Sequence, residues 1–138
     1  MSSIDLVDYR PSEDEPYMSE RQLGYFRRKL FDWKSEIIRA SEATIDQLQE
    51  DNYHLPDITD RASSETEKAL ELRARDRQRK LISKIDAALR RIEAGEYGFC
   101  EETGEPIGLR RLEARPIATL SLEAQERHER SEKVHRDD

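Results

Sequence analysis

A mainly α-helical fold is predicted: two long helices paired antiparallel as a coiled-coil finger, then a small turn-rich knob and a C-terminal helix. Three observations predict it. Residues 25–55 and 57–94 contain neither glycine nor proline, and Pro56 alone separates them; these residue types are the strongest local breakers of regular structure. Apolar residues in both stretches recur at steps of three and four, the seam of a coiled coil. About half of the chain is Ala, Glu, Lys, Leu or Arg, which with this period marks long helices.

The bulk numbers exclude several classes. Of 138 residues, 40% are charged and 35% hydrophobic, too few apolar side chains for a large round core. A net charge of -7 argues against coating nucleic acid by bulk attraction. No apolar run approaches the roughly 18 residues of a membrane span. The start, MSSIDLVDYRPSEDEPYM, lacks the basic head and apolar stretch of a secretory signal. Cys100 is the single cysteine, so no disulfide framework forms within the chain, and the cytoplasm is the default compartment. Residues 1–18 are expected to be a flexible N-terminal segment.

The finger is expected over 19–94 with its tip at 53–62. Ser19 is the N-cap candidate and Gln22, three residues on, completes a capping box, with Met18 and Leu23 placed as a hydrophobic staple. Leu23, Phe26, Leu30, Trp33, Ile37 and Ala40 form the seam of the first helix; Ile45 and Leu48 continue it in a shifted register. The helix ends before Pro56, because the residue preceding proline avoids helical geometry. The second helix carries Leu70, Leu72, Leu81, Ile85, Ala88 and Ile92, the last four at steps of four, three and four, and Gly95 stops it. So short a connection makes the two arms antiparallel neighbours, each about 50 Å long.

Charge segregates along the finger. Residues 41–70 carry eight acids against two bases, and residues 71–92 carry eight bases against three acids. Pairs such as Asp76 with Lys80 account for solvated faces, but not for the separation of sign. At the tip, Asp57 and Asp60 admit two readings. They suit a cap and first turn at a positive helix end. On pattern alone that reading leads; the other is a carboxylate carried on a rod towards a bound metal ion or basic groups.

The knob is expected over 95–120, built on Tyr97, Phe99, Ile107, Leu109, Leu112, Ile117 and Leu120, with a C-terminal helix and tail over 121–138 capped by Ser121. Cys100-x-x-Thr103, then 17 residues, then Ser121-x-x-Ala124 has the spacing of a four-cysteine zinc ribbon with three ligands replaced. Zinc takes about four N, S or O donors in a tetrahedron. The knob is therefore a degenerate ribbon, not expected to hold zinc, and its own apolar cluster must supply the folding energy a metal would give. Cys100 is expected as a small packing residue. Arg110, Arg111 and Arg115 crowd the knob and Lys84 sits on the second helix; such groups suit phosphates or pair with nearby Glu113 and Glu105.

Three strings are more specific than the coiled-coil pattern: Pro56-Asp57-x-x-Asp60-Arg61-Ala62, Glu71-Leu72-Arg73-x-Arg75-Asp76-Arg77-x-Arg79-Lys80-Leu81, and Gly108-Leu109-Arg110-Arg111-Leu112-Glu113-Ala114-Arg115-Pro116. With them the sequence resembles the DksA/TraR family of bacterial transcription factors, over roughly residues 17–127. The resemblance implies a finger that enters the secondary channel of RNA polymerase and brings its tip near the catalytic Mg²⁺. It implies a regulator, not an enzyme, that reads no promoter sequence. Such a factor acts with ppGpp to inhibit ribosomal RNA-type promoters and to support amino-acid biosynthesis promoters. By resemblance, Asp57, Asp60 and Ala62 are the active tip residues. Arg73 and Arg77 contact the polymerase, and Lys84, Leu81 and Arg115 help form a ppGpp site between factor and polymerase. A monomer with no intrinsically bound cofactor is expected.

Two departures stand out. Thr103, Ser121 and Ala124 replace three of the family's four cysteines, and Gln125 stands where the family often has a lysine that contributes to ppGpp binding. Two other readings of the finger stay open: a Gre-type factor that stimulates transcript cleavage, and a coiled-coil adaptor whose function depends on seam residues such as Trp33 and not on the tip. An enzyme is the weakest reading, since no nucleophile–base pair is visible and so charged a chain has little interior in which to shape a pocket.

Overall fold

A computed structural model describes residues 8–53 and 58–137. Four helices follow in order: α1 (Glu20–Tyr53), α2 (Ile58–Ala94), α3 (Leu109–Ala114) and α4 (Leu122–Asp137). Among the described residues the only extended pairing is an isolated antiparallel bridge between Phe99 and Pro106. The mainly α fold with two long helices, a turn-rich knob and a C-terminal helix is as predicted. The chain divides into two compact units, one of residues 31–86 and one of the remainder. The bases of both long helices belong to the same unit as the knob.

The start of α1 is built as expected, with one change. The Gln22 amide donates to Ser19 Oγ at 3.3 Å, but the Gln22 side chain accepts from the Met18 amide (2.8 Å), one residue earlier than a standard box. Its Nε2 also donates to the Ser12 carbonyl at 3.1 Å, so this glutamine is fully buried with its polar atoms satisfied. Leu23, Phe26, Leu30, Trp33 and Ile37 are buried or half-buried, as the seam predicts. Ala40 is not: it is exposed, and Ser41 takes the half-buried position. The step from Ile37 to Ser41 follows another step of four, a stutter that shifts the contact line. The side chains of Ile45 and Leu48 lie outside the described residues.

The pairing is antiparallel. Arg27 forms an ion pair with Glu93, and Lys34 Nζ lies 2.7 Å from Asp86 Oδ1. Seven residues forward on α1 match seven back on α2, one heptad. On α2 Ser64, Glu67, Glu71, Ala74, Gln78, Leu81, Ile85, Ala88 and Ile92 are buried or half-buried and form a seam that alternates steps of three and four; Arg75, Ile82, Asp86, Ala87, Leu89 and Arg91 beside it are half-buried as well. Its basal half is the apolar seam read from the sequence. Its outer half is polar, while Leu70 and Leu72 are 56% and 65% exposed.

Gly95 ends α2 as predicted, and the geometry explains why a glycine is there. Its φ is +75°, a left-handed conformation costly for other residues. The Gly95 amide bonds to the Ile92 carbonyl at 3.2 Å and the Glu96 amide to Arg91 at 2.9 Å, a Schellman closure. Beyond it, Tyr97, Ile107, Leu112, Ala118 and Ala124 are buried together with Phe26. The Tyr97 hydroxyl donates to the Pro116 carbonyl at 2.8 Å, and the Phe26 and Tyr97 rings meet at 5.7 Å.

Residues 9–18, within the segment expected to be flexible, make specific contacts. The Tyr17 hydroxyl donates to the Gly98 carbonyl (2.6 Å) and accepts from the Gly108 amide (3.0 Å). A side chain on Gly98 would meet Met18 at 2.7 Å, so the segment and this turn are fitted to each other. Tyr9 donates to Glu15, and the Arg21 guanidinium stacks on the Tyr9 ring at 4.1 Å.

Candidate functional site

The second long helix sorts its charged side chains by angle. At 100° per residue, Leu70, Arg73, Arg77, Lys80 and Lys84 fall on one stripe, and all five are exposed. Asp76 tethers Lys80 at 3.1 Å. About a quarter-turn round the helix from this stripe, and bordering it, lies the half-buried seam, where Glu71 pairs with Arg75 at 2.6 Å. Glu67 Oε2 on the seam and Arg75 Nε beside it are buried without a hydrogen-bond partner. Arg73, Arg77 and Lys84, singled out separately in the sequence, thus form one cationic face. Leu81, singled out with Lys84, is a half-buried seam residue of the same unit.

At the tip, α2 begins at Ile58, which makes Asp60 its third residue. The backbone of Asp60 and Ala62 is helical; their side chains, and all of Asp57, lie outside the described residues.

In the knob, Cys100 is 3% exposed. Burial pushes its thiol up, but the Thr103 hydroxyl and the amides of Ser121, Thr103 and Glu102 outweigh it and bring the pKa down to about 6. The converging amides were not legible from ligand spacing. The other three ligand-equivalent positions are otherwise engaged. Thr103 Oγ1 accepts from the Glu105 amide (3.2 Å), Ser121 Oγ caps α4 through the Ala124 amide (3.2 Å), and Ala124 is a fully buried methyl. One thiol, two hydroxyls and no fourth donor do not fit a tetrahedral zinc. Among the described residues, no group of three or more His, Cys, Asp or Glu stands close enough to hold a metal.

The knob arginines split. Arg111 is structural: its Nε donates to the Leu120 carbonyl at 3.0 Å. Glu113, suggested as an arginine partner, instead faces Lys29 Nζ at 2.6 Å. Burial pushes the Glu113 carboxyl up, but hydrogen bonds from Lys29 and Tyr25 hold it below its usual range. Arg110 and Arg115 are exposed, the latter at the C-terminus of α3. Arg115 belongs to the knob's unit, while Leu81 and Lys84 belong to the other. Gln125 is half-buried and donates to Glu129 at 3.3 Å.

A coiled-coil finger with a cationic stripe, joined to a ribbon-like knob whose ligand-equivalent positions do not fit zinc, defines a class of helical finger-and-ribbon proteins. Comparison with known proteins makes it specific. Residues 22–92 match the model of the DnaK suppressor protein DksA, N-terminal domain, and residues 95–130 match the prokaryotic dksA/traR C4-type zinc finger. The chain is 68% identical over 135 residues to the RNA polymerase-binding transcription factor DksA of Caulobacter vibrioides (strain NA1000 / CB15N), covering 98% of this chain and 95% of that protein. It is 43% identical over 126 residues to the protein of that name from Escherichia coli (strain K12), covering 89% of this chain and 83% of that one. The solved structure of transcription factor DksA2 from Pseudomonas aeruginosa superposes with a TM-score of 0.79 at 44% identity, over 90% of this chain and 94% of that chain. The chain belongs to the DksA/TraR family.

Proposed function

We propose that this chain is a non-enzymatic transcription regulator that binds RNA polymerase and inserts its finger into the secondary channel. It acts with ppGpp, inhibiting ribosomal RNA-type promoters and supporting amino-acid biosynthesis promoters, without reading promoter sequence. One observation carries the reading: the finger of a family whose members are named RNA polymerase-binding factors is present here with Arg73, Arg77 and Lys84 aligned on one exposed stripe. Such a stripe meets an acidic surface by complementary charge and steers the encounter. A helix of 34 residues is about 50 Å long, enough to carry a tip through a deep channel.

In this reading Asp57, Asp60 and Ala62 act at the polymerase's Mg²⁺ region, where carboxylates suit a hard cation and its basic surroundings. Arg73 and Arg77 hold the channel rim. Lys84, Leu81 and Arg115 complete a ppGpp site together with polymerase, the cations serving the phosphates. The protein acts in the cytoplasm as a monomer, with no cofactor of its own.

The test is transcription in vitro from a ribosomal RNA promoter with cognate polymerase, with and without ppGpp, comparing wild type with Asp60→Asn. The amide keeps size and capping ability but removes the charge. Wild type should inhibit, ppGpp should deepen inhibition, and Asp60→Asn should bind polymerase yet inhibit at least tenfold less, roughly 1.4 kcal/mol of lost effect. Equal inhibition by both proteins would reduce the tip acids to helix caps. Transcript cleavage stimulated by the wild type would move the protein to the Gre-type class.

A further inference from the structure

The outer half of α2 is inside out. A coiled coil normally buries leucine at its seam and leaves charge outside. Here Ser64, Glu67, Glu71, Ala74 and Gln78 occupy the seam, and Leu70 and Leu72 stand 56% and 65% exposed. An exposed leucine by itself says little. A polar seam with a partnerless buried atom on Glu67, and another on Arg75 beside it, says more, because each such atom costs stability that a rotation burying a leucine would recover. Departures of this kind concentrate where a surface is shaped for another molecule.

The two leucines differ in where they point. Leu70 lies within about 60° of Arg73 and Arg77, one turn nearer the tip on the same stripe, whereas Leu72 is about 200° round the helix from Leu70. The cationic face of α2 therefore ends, towards the tip, in an apolar side chain. We propose that Leu70 is an apolar anchor of the polymerase interface: it seats in a hydrophobic depression of RNA polymerase while Arg73 and Arg77 meet the acidic groups around it. This inference rests on the polymerase-binding reading above. Interfaces concentrate their energy in such a combination, a desolvated apolar contact flanked by charge. The arginines supply attraction that salt weakens, and the leucine supplies a contact that salt leaves intact.

The experiment measures the affinity of full-length protein, labelled at its N-terminus, for cognate RNA polymerase holoenzyme at low and high salt. Wild type is compared with Leu70→Ala, Leu70→Met, Leu72→Ala and Arg77→Ala, with helicity and melting temperature as folding controls. Leu70→Ala should weaken binding about fivefold to tenfold at both salt concentrations, as loss of the remaining leucine burial implies. Leu70→Met should restore it, Leu72→Ala should change it less than about twofold, and the Arg77→Ala defect should shrink as salt rises. Leu70→Ala binding like wild type, or Leu70→Ala and Leu72→Ala weakening it equally, overturns the proposal while the polymerase-binding reading stands. A wild type that does not bind overturns both.

Discussion

At Cys100, burial and hydrogen bonding oppose each other, and the hydrogen bonds win. The sulfur is out of solvent but faces the Thr103 hydroxyl and three amides, so its pKa falls from 9.0 to about 6. The donors that in a zinc ribbon would support a metal thiolate here support a bare one. The sign of the consequence follows from linkage. Below the folded value both folded and unfolded thiols are protonated and the group contributes nothing; between about 6 and 9.0 stability rises with pH; above 9.0 the contribution is complete. Thiolate absorbance of the folded protein should titrate near pH 6, and Cys100→Ala should flatten the rise of melting temperature over that window. A thiol titrating at its ordinary value would show that the amides do not hold the charge. Gly98, like Gly95, is a position at which geometry dictates identity. Its φ of +92° and the closeness of Met18 leave no room for a side chain, whereas from the sequence it was only one glycine among several in the knob.

The two halves of α2 illustrate what periodicity carries. Leu81, Ile85, Ala88 and Ile92 announce their seam by being apolar, and Ile85 and Ala88 are buried. The outer half keeps the same three-four spacing with Glu67, Glu71 and Gln78, so its seam is invisible to a search for hydrophobic residues. α1 shows the converse at Ala40, apolar and in register yet exposed because the contact line moves to Ser41. A polar seam holds two helices weakly. Glu67→Leu should stabilise the finger by about 1–2 kcal/mol, because it removes a buried oxygen without a partner and adds apolar contact. Urea unfolding followed by helicity reads this as a higher midpoint at unchanged slope. A lower midpoint would mean that the carboxylate is satisfied in solution.

At the scale of the whole molecule, the proposed action with ppGpp meets one departure from the family: Gln125 stands where the family often has a lysine. A neutral amide at 125 supplies one charge-assisted phosphate contact fewer than a lysine would, a difference of about 1–2 kcal/mol. Gln125→Lys should therefore lower the ppGpp concentration for half-maximal synergy by about tenfold in the transcription assay. The half-buried amide donates one surface hydrogen bond, to Glu129, and a melting temperature close to that of the wild type checks that the substitution leaves folding intact. Identical midpoints would remove residue 125 from the ppGpp site.

By itself the sequence determined the two long helices and the C-terminal helix with most of their boundaries, the capping residues Ser19 and Ser121, the Gly95 stop, the basal seam and the family, but not the short α3 within the knob. These depend on local rules: breakers, caps and a short period act within a few residues of chain. Tertiary structure alone decided which polar residues face inward, that Tyr17 fastens the N-terminal segment to the Gly98 and Gly108 turns, that Glu113 turns to Lys29, and that Cys100 sits among converging amides. Each of these joins groups distant in sequence or depends on the direction of backbone N–H bonds. That information arises only when the chain closes on itself, because residue type constrains what a side chain can do and packing selects which neighbour it meets.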